Sequence, residues 1–177
     1  MFNLSEKIAA VFVVLALWIG TAPGQAQDFE PWTGSVVGAT INFGNDETLK
    51  IIRKLINEGK TESAVREAEK LVHHVMNNER SGEVSATQYN AYNALCLSLT
   101  ANKQFDEAMT ACNTAIEHSP RRWQAINSRG SLNYKTGKYS EALADYRSAL
   151  ERMPDVKNIR RIVEHNIRIS EARSNGN

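Results

Sequence analysis

The sequence predicts an all-α chain built from successive antiparallel helix pairs, and three observations carry that expectation. Residues Trp123 to Pro154, WQAINSRGSLNYKTGKYSEALADYRSALERMP, place apolar residues at helical spacing on both sides of Gly137, where the chain has to reverse. The small residues Gly130 and Ala142 fall where two antiparallel helices must touch. The pattern also echoes 34 residues earlier, since Pro154, Leu150, Ala149, Ala142 and Tyr139 step back to Pro120, Ile116, Ala115, Ala108 and Phe105. Five matches of chemical type at one offset mark a repeat.

With Tyr146 on its apolar side, this unit resembles the tetratricopeptide repeat, a helix-turn-helix of 34 residues. The resemblance implies a right-handed α-solenoid of about three pairs, closed by a C-terminal capping helix. It covers residues 46–171, with repeats at 89–122 and 123–156 and a divergent pair at 46–78.

Composition sets the outer bounds. A chain of 177 residues with 42% apolar residues and a formal net charge of +1 suffices for one domain and is too balanced to be disordered. That charge supplies no general attraction for nucleic acid or an acidic polymer. The two cysteines, Cys96 and Cys112, are too few for a disulfide-built scaffold or a four-cysteine metal site.

Residues 1–26 have the layout of a signal peptide: Lys7, an uncharged run from Ile8 to Gly20, then TAPGQA with small residues at Gly24 and Ala26. The run is shorter than the roughly 17–25 residues that span a bilayer, so cleavage near Ala26 is expected, with no membrane span in the mature chain. The signal's compactness looks bacterial, and the expected address is periplasmic or secreted. Residues 27–45 contain Gly34, Gly38 and Gly44 and no helical period, which reads as an extended or flexible arm. Such a segment reads first as a disordered mature terminus; its Phe29, Trp32, Ile41 and Phe43 are also suited to docking, and an arm that docks is expected to cover the exposed apolar side of the first helix pair.

Helical spacing starts with Leu49, Ile52, Leu55 and Ile56 and stops at Asn57-Glu58-Gly59. Thr61 and Glu62 are the expected cap of the next helix, which carries Ala64, Val65, Ala68, Leu71, Val72 and Val75. Ile52 stands where the third unit has Gly130, so a splayed or shifted pair is expected. The polar stretch from Asn77 to Gln88 exceeds an ordinary connection between repeats; helix can persist into part of it, and the break is expected in the neighbourhood of Ser81 and Gly82.

The second unit has its stripe at Tyr92, Leu95, Leu99, Phe105, Ala108, Met109, Ala115 and Ile116, with Asp106 as the expected N-cap of its second helix. Cys96 and Cys112 are nearly symmetric about the turn, which sets them opposite each other. Either a bridge or two buried thiols is open on this basis, and an oxidising compartment favours the bridge. After Pro154, Val156, Ile159, Ile162, Val163 and Ile167 predict a polar-backed capping helix to residue 171, followed by a frayed tail at 172–177.

Catalytic signatures are missing from this reading: there is no phosphate-binding glycine loop, zinc spacing or nucleophile elbow. His73, His74, His118 and His165 are scattered, and no enzyme activity, cofactor or metal is expected. The resemblance instead implies a concave groove lined by the first helix of each pair, which commonly takes an extended peptide or a partner's helix. Carried over residue by residue, the groove positions are Asn90, Asn93, Leu97, Thr100 and Ala101 in one unit. In the next they are Gln124, Asn127, Ser131, Tyr134 and Lys135, with Arg161 of the capping helix at the far wall. An asparagine amide both donates and accepts, so Asn93 and Asn127 suit the backbone of an extended chain, and Arg161 with Lys135 suits a carboxylate. The expected function is a noncatalytic protein-binding module with an unidentified protein or peptide partner. A self-associating structural subunit of an envelope complex is the alternative.

Overall fold

The computed structural model describes residues 47–77 and 84–176. The signal peptide and the arm of the sequence reading lie outside these residues. All regular structure among the described residues is helical: α1 (Glu47–Asn57), α2 (Thr61–Asn77), α3 (Val84–Ala101), α4 (Phe105–His118), α5 (Trp123–Lys135), α6 (Tyr139–Arg152) and α7 (Lys157–Ser174). Each helix packs on the one before it, and the first helices also meet, α1 against α3 and α3 against α5. The result is an all-α array of sequential pairs of the tetratricopeptide-like kind.

One turn, used three times, makes the pairs. Gly59, Lys103 and Gly137 all have positive φ, at 72°, 62° and 77°. In each turn the next residue sends its N–H back to a carbonyl five residues earlier: Lys60 to Leu55 at 2.9 Å, Gln104 to Leu99 at 3.0 Å and Lys138 to Asn133 at 2.8 Å. This is the left-handed helix stop that satisfies carbonyls otherwise orphaned at a helix end. The same three residues then open the following helix, their carbonyls accepting from Ala64, Ala108 and Ala142. Those alanines are fully buried between the two helices of each pair.

Counting from the turn brings a second set of positions into register. Seven residues before it stand Ile52, Cys96 and Gly130, and nine after it stand Ala68, Cys112 and Tyr146. Ile52 and Ala68 share one apolar cluster in the first pair. Cys96 and Cys112 form a disulfide with a Cα–Cα distance of 4.9 Å, both side chains fully buried. In the third pair the Tyr146 ring lies on Gly130 so closely that an added Cβ would meet its Cε1 at 2.8 Å. A crossing of fixed volume is thus filled by Ile with Ala, by a bridge, or by Tyr with Gly.

Stacking between pairs repeats in the same way. Tyr89 clusters with Ala115 and Ala125, and the residues 34 further on, Trp123, Ala149 and Ile159, share the last core cluster. Tyr89 also accepts the Ala125 backbone N–H at 2.9 Å, and the Arg122 guanidinium sits 3.9 Å from its ring centroid. Burial pushes its phenol up to about 12, so the hydroxyl stays neutral and able to donate.

Several local expectations are corrected. Asp106 is not the N-cap of α4; Gln104 is, because the turn at Lys103 closes early, and Asp106 falls inside the first turn, where its charge suits the helix dipole. Thr61 does not cap α2 but donates its hydroxyl to Asn102 Oδ1 at 2.7 Å, tying the first pair to the second. α7 runs on to Ser174 instead of ending at 171, while the polar stretch before Gln88 is helical from Val84 onwards, in keeping with a helix that persists into it.

Candidate functional site: the face of the first helices

The turn register also defines a row on the first helix of each pair. Ten residues before the turn stand Leu49 on α1, Asn93 on α3 and Asn127 on α5, and one further step of 34 reaches Arg161 on α7. Asn93 and Asn127 are only 1% and 6% exposed. The amide oxygen of each is buried with no hydrogen-bond partner, and so is that of Asn90, one turn before Asn93 on α3. These are the buried side-chain atoms among the described residues that lack partners, and all three belong to this one face. Leaving such an acceptor unpaired costs about 1–3 kcal/mol, so the face is built at a cost in stability.

The other candidates divide. Leu97 is half-buried beside the asparagines and adds apolar surface. Gln124 is committed to the fold, its Oε1 accepting from the Tyr89 hydroxyl at 3.3 Å. Ser131 is fully buried, donating to the Asn127 carbonyl at 3.1 Å and accepting from the Tyr146 hydroxyl at 3.1 Å. It therefore belongs to packing. The hydrogen bond it accepts also helps explain why Tyr146, whose phenol pKa burial raises, can be fully enclosed. Tyr134 meets Tyr139 edge-on at 5.3 Å and is half-buried, as is Lys135, while Arg161 is exposed. The structure thus brings Asn90, Asn93 and Leu97 onto one helix and Asn127 onto its neighbour, with Tyr134 and Lys135 two turns further along α5.

A second polar group was hidden from the sequence. Arg129 donates to both oxygens of Asp145, at 3.0 and 2.6 Å, and to Asn113 Oδ1 at 2.9 Å, while Asn133 donates to Asp145 at 3.0 Å. The bond to Asp145 raises the Arg129 pKa further and keeps the guanidinium charged. All its members are partnered across α4, α5 and α6, so this network holds the third pair in place and offers nothing to a ligand. The signal for it was a charge on each helix of one pair, Arg129 and Asp145, at positions where the second unit has Leu95 and Ala111.

The histidines do not converge. His73 and His74 are exposed, His73 bonding to Asn77 at 3.0 Å, and His118 stacks on Tyr92 at 5.6 Å in the last turn of α4. Among the described residues no group of three or more His, Cys, Asp or Glu could hold a metal, and no helix is long and apolar enough to cross a membrane.

No protein-family model matches the sequence. The chain is similar to DnaJ homolog subfamily C member 3 of Gallus gallus, 27% identical over 119 residues, which are 67% of this chain and 22% of that protein. The chain therefore spans about a fifth of the length of the curated relative it matches. That relative is a tetratricopeptide-repeat-containing protein. Turn, crossing and interhelical stacking agree with it: the described chain is a distant, tetratricopeptide-like helical repeat.

Proposed function

We propose that this protein is a noncatalytic protein-interaction module of the bacterial envelope, and that the face carrying Asn90, Asn93 and Asn127 holds an extended segment of a partner. The observation that carries this reading is the set of buried, partnerless amide oxygens on adjacent first helices. Each is an acceptor kept from water, and a row of backbone N–H groups is the chemistry that satisfies such acceptors without reading side chains. Arg161, at the end of the row, then meets a carboxylate of the bound segment. A buried disulfide between α3 and α4 supports a periplasmic or secreted address, because such bridges persist in oxidising compartments. A signal peptide cut near Ala26 accounts for how the chain reaches it.

The self-assembling alternative has less support. Among the described residues the large exposed apolar side chains are Ile51 on α1, Met76 on α2 and Val156 just before α7, and single ones are ordinary on a protein surface.

Affinity capture from the envelope fraction, run in parallel with the wild-type chain and the Asn93→Ala, Asn127→Ala double variant, tests the reading. It predicts at least one partner retained by the wild type and lost by the variant. Identical protein lists from the two would remove this face from the account.

A further inference from the structure

The Cys96–Cys112 bridge is fully enclosed, with both side chains at 0% exposure. Leu95, Leu99, Ala108 and Ala111 of its own pair share its apolar cluster, and so do Val65 of α2 and Leu132 of α5. α3 packs against both α2 and α5, and α4 packs against α5. The bridge is therefore closed in by the pair before it and the pair after it.

Disulfides form and break by one route, in which a thiolate attacks a disulfide sulfur and a mixed disulfide joins the two molecules. A mixed disulfide at Cys96 or Cys112 would set a foreign group inside a core packed like an organic crystal, among the side chains that include Val65 and Leu132. The assembled array keeps such a group out. The cysteines need far less than the assembled array to meet. They are 16 apart in sequence, and the left-handed turn at Lys103 between them brings their Cα atoms to 4.9 Å. Closing so short a loop costs less chain entropy than docking pairs that are distant in sequence. The first and third pairs fill the matching crossing with Ile52 and Ala68 or with Gly130 and Tyr146, so neither waits on an oxidation step.

We propose that the second pair is oxidised by a disulfide-bearing donor before α2 and α5 close over it, and that docking of those helices then seals the bridge. In the oxidation, the thiolate of one cysteine attacks a donor sulfur and one donor thiolate leaves. The thiolate of the other cysteine attacks the cysteine sulfur of the mixed disulfide, closing the Cys96–Cys112 bond and expelling the second donor thiolate. Two thiols of the chain are oxidised, one donor disulfide is reduced to two thiols, and the two protons lost by the cysteines end on the donor. After docking, the bridge is a lock and not a redox switch, because a reductant reaches it only when the array opens.

Reduction passes through the same mixed disulfide in reverse, so it reports on the same access. The folded full-length chain is incubated with dithiothreitol across a urea series, timed samples are quenched with excess iodoacetamide, and alkylated cysteines are counted by mass spectrometry. Reduction without urea is expected to be at least tenfold slower than above the unfolding midpoint and to rise with the fraction unfolded. One rate across the series overturns the proposal, since the bridge is then open to reagents in the folded array. A second measurement times closure with oxidised glutathione as the donor, added to the reduced chain either at the start of refolding or after its helical content and fluorescence have returned to those of the folded chain. Early addition is expected to close the bridge at least tenfold faster, and equal rates overturn the proposal. If the reduced chain never regains those signals, the urea series decides alone.

Discussion

The second and third helix pairs close the same crossing by different chemistry. In the second, Cys96 and Cys112 are joined covalently and surrounded by Leu95, Leu99 and Ala111. In the third, Gly130 admits the ring of Tyr146, and the positions matching Leu95, Leu99 and Ala111 hold Arg129, Asn133 and Asp145 in one hydrogen-bonded network. The backbone accommodates both because what the repeat specifies is the separation between helices, set by the left-handed turn and the buried alanine after it. Volume at the crossing is conserved, and its chemistry is free to vary.

The comparison predicts an order of effects. Tyr146→Ala is expected to be the most damaging, at about 3–5 kcal/mol, because it leaves a ring-sized cavity and strips Ser131 of a partner. Chemical denaturation at neutral pH measures it, and a loss below about 1 kcal/mol would mean that the crossing does not hold the third pair together. The second pair offers the parallel experiment. Cys96→Ala with Cys112→Ala removes a bridge across a sequence separation of 16. It should cost roughly 3 kcal/mol, on the order of 10 °C in Tm. A double variant that melts with the wild type would show that apolar packing alone suffices there.

Gly130→Ala comes next. The new methyl meets Tyr146 Cε1 and Cδ1 at 2.8 and 2.9 Å, so the ring or the helix must yield, at about 1–3 kcal/mol. The smallest effect has the opposite sign. Lys103 holds a positive φ of 62° at the position where the first and third turns use glycine. Lys103→Gly should stabilise by up to about 1 kcal/mol, the strain relieved exceeding the added freedom of the unfolded chain. A thermal melt checks the sign, and a lower Tm would mean that the three turns are not equivalent.

These contrasts also show which parts of the structure the sequence made legible. The helix pairs, the cap and the facing cysteines followed from apolar spacing and one offset, because packing imposes periodicity on the residues that pack. The turn at Lys103 lacked a glycine and was readable only through its 34-residue partner Gly137. The Arg129–Asp145 network was illegible for a different reason: charged residues on helices read as solvated until the neighbouring helix is in place. Ser131 failed in the reverse direction, since a small hydroxyl on the first helix gives no sign that Tyr146 reaches it from behind. For the asparagines, position on the face was legible through the resemblance. That their oxygens are buried without partners was not, because it depends on everything packed around them.

The central claim is that packing residues and groove residues on the same helices are separable. It is tested most directly by one chain carrying Asn93→Ala and Asn127→Ala, melted and titrated with the captured partner. Removing two unpaired acceptors should leave Tm unchanged or slightly raised while weakening partner binding at least tenfold. A chain that melts several degrees lower and binds as before would contradict the account, placing both asparagines among the residues that only hold the repeat together.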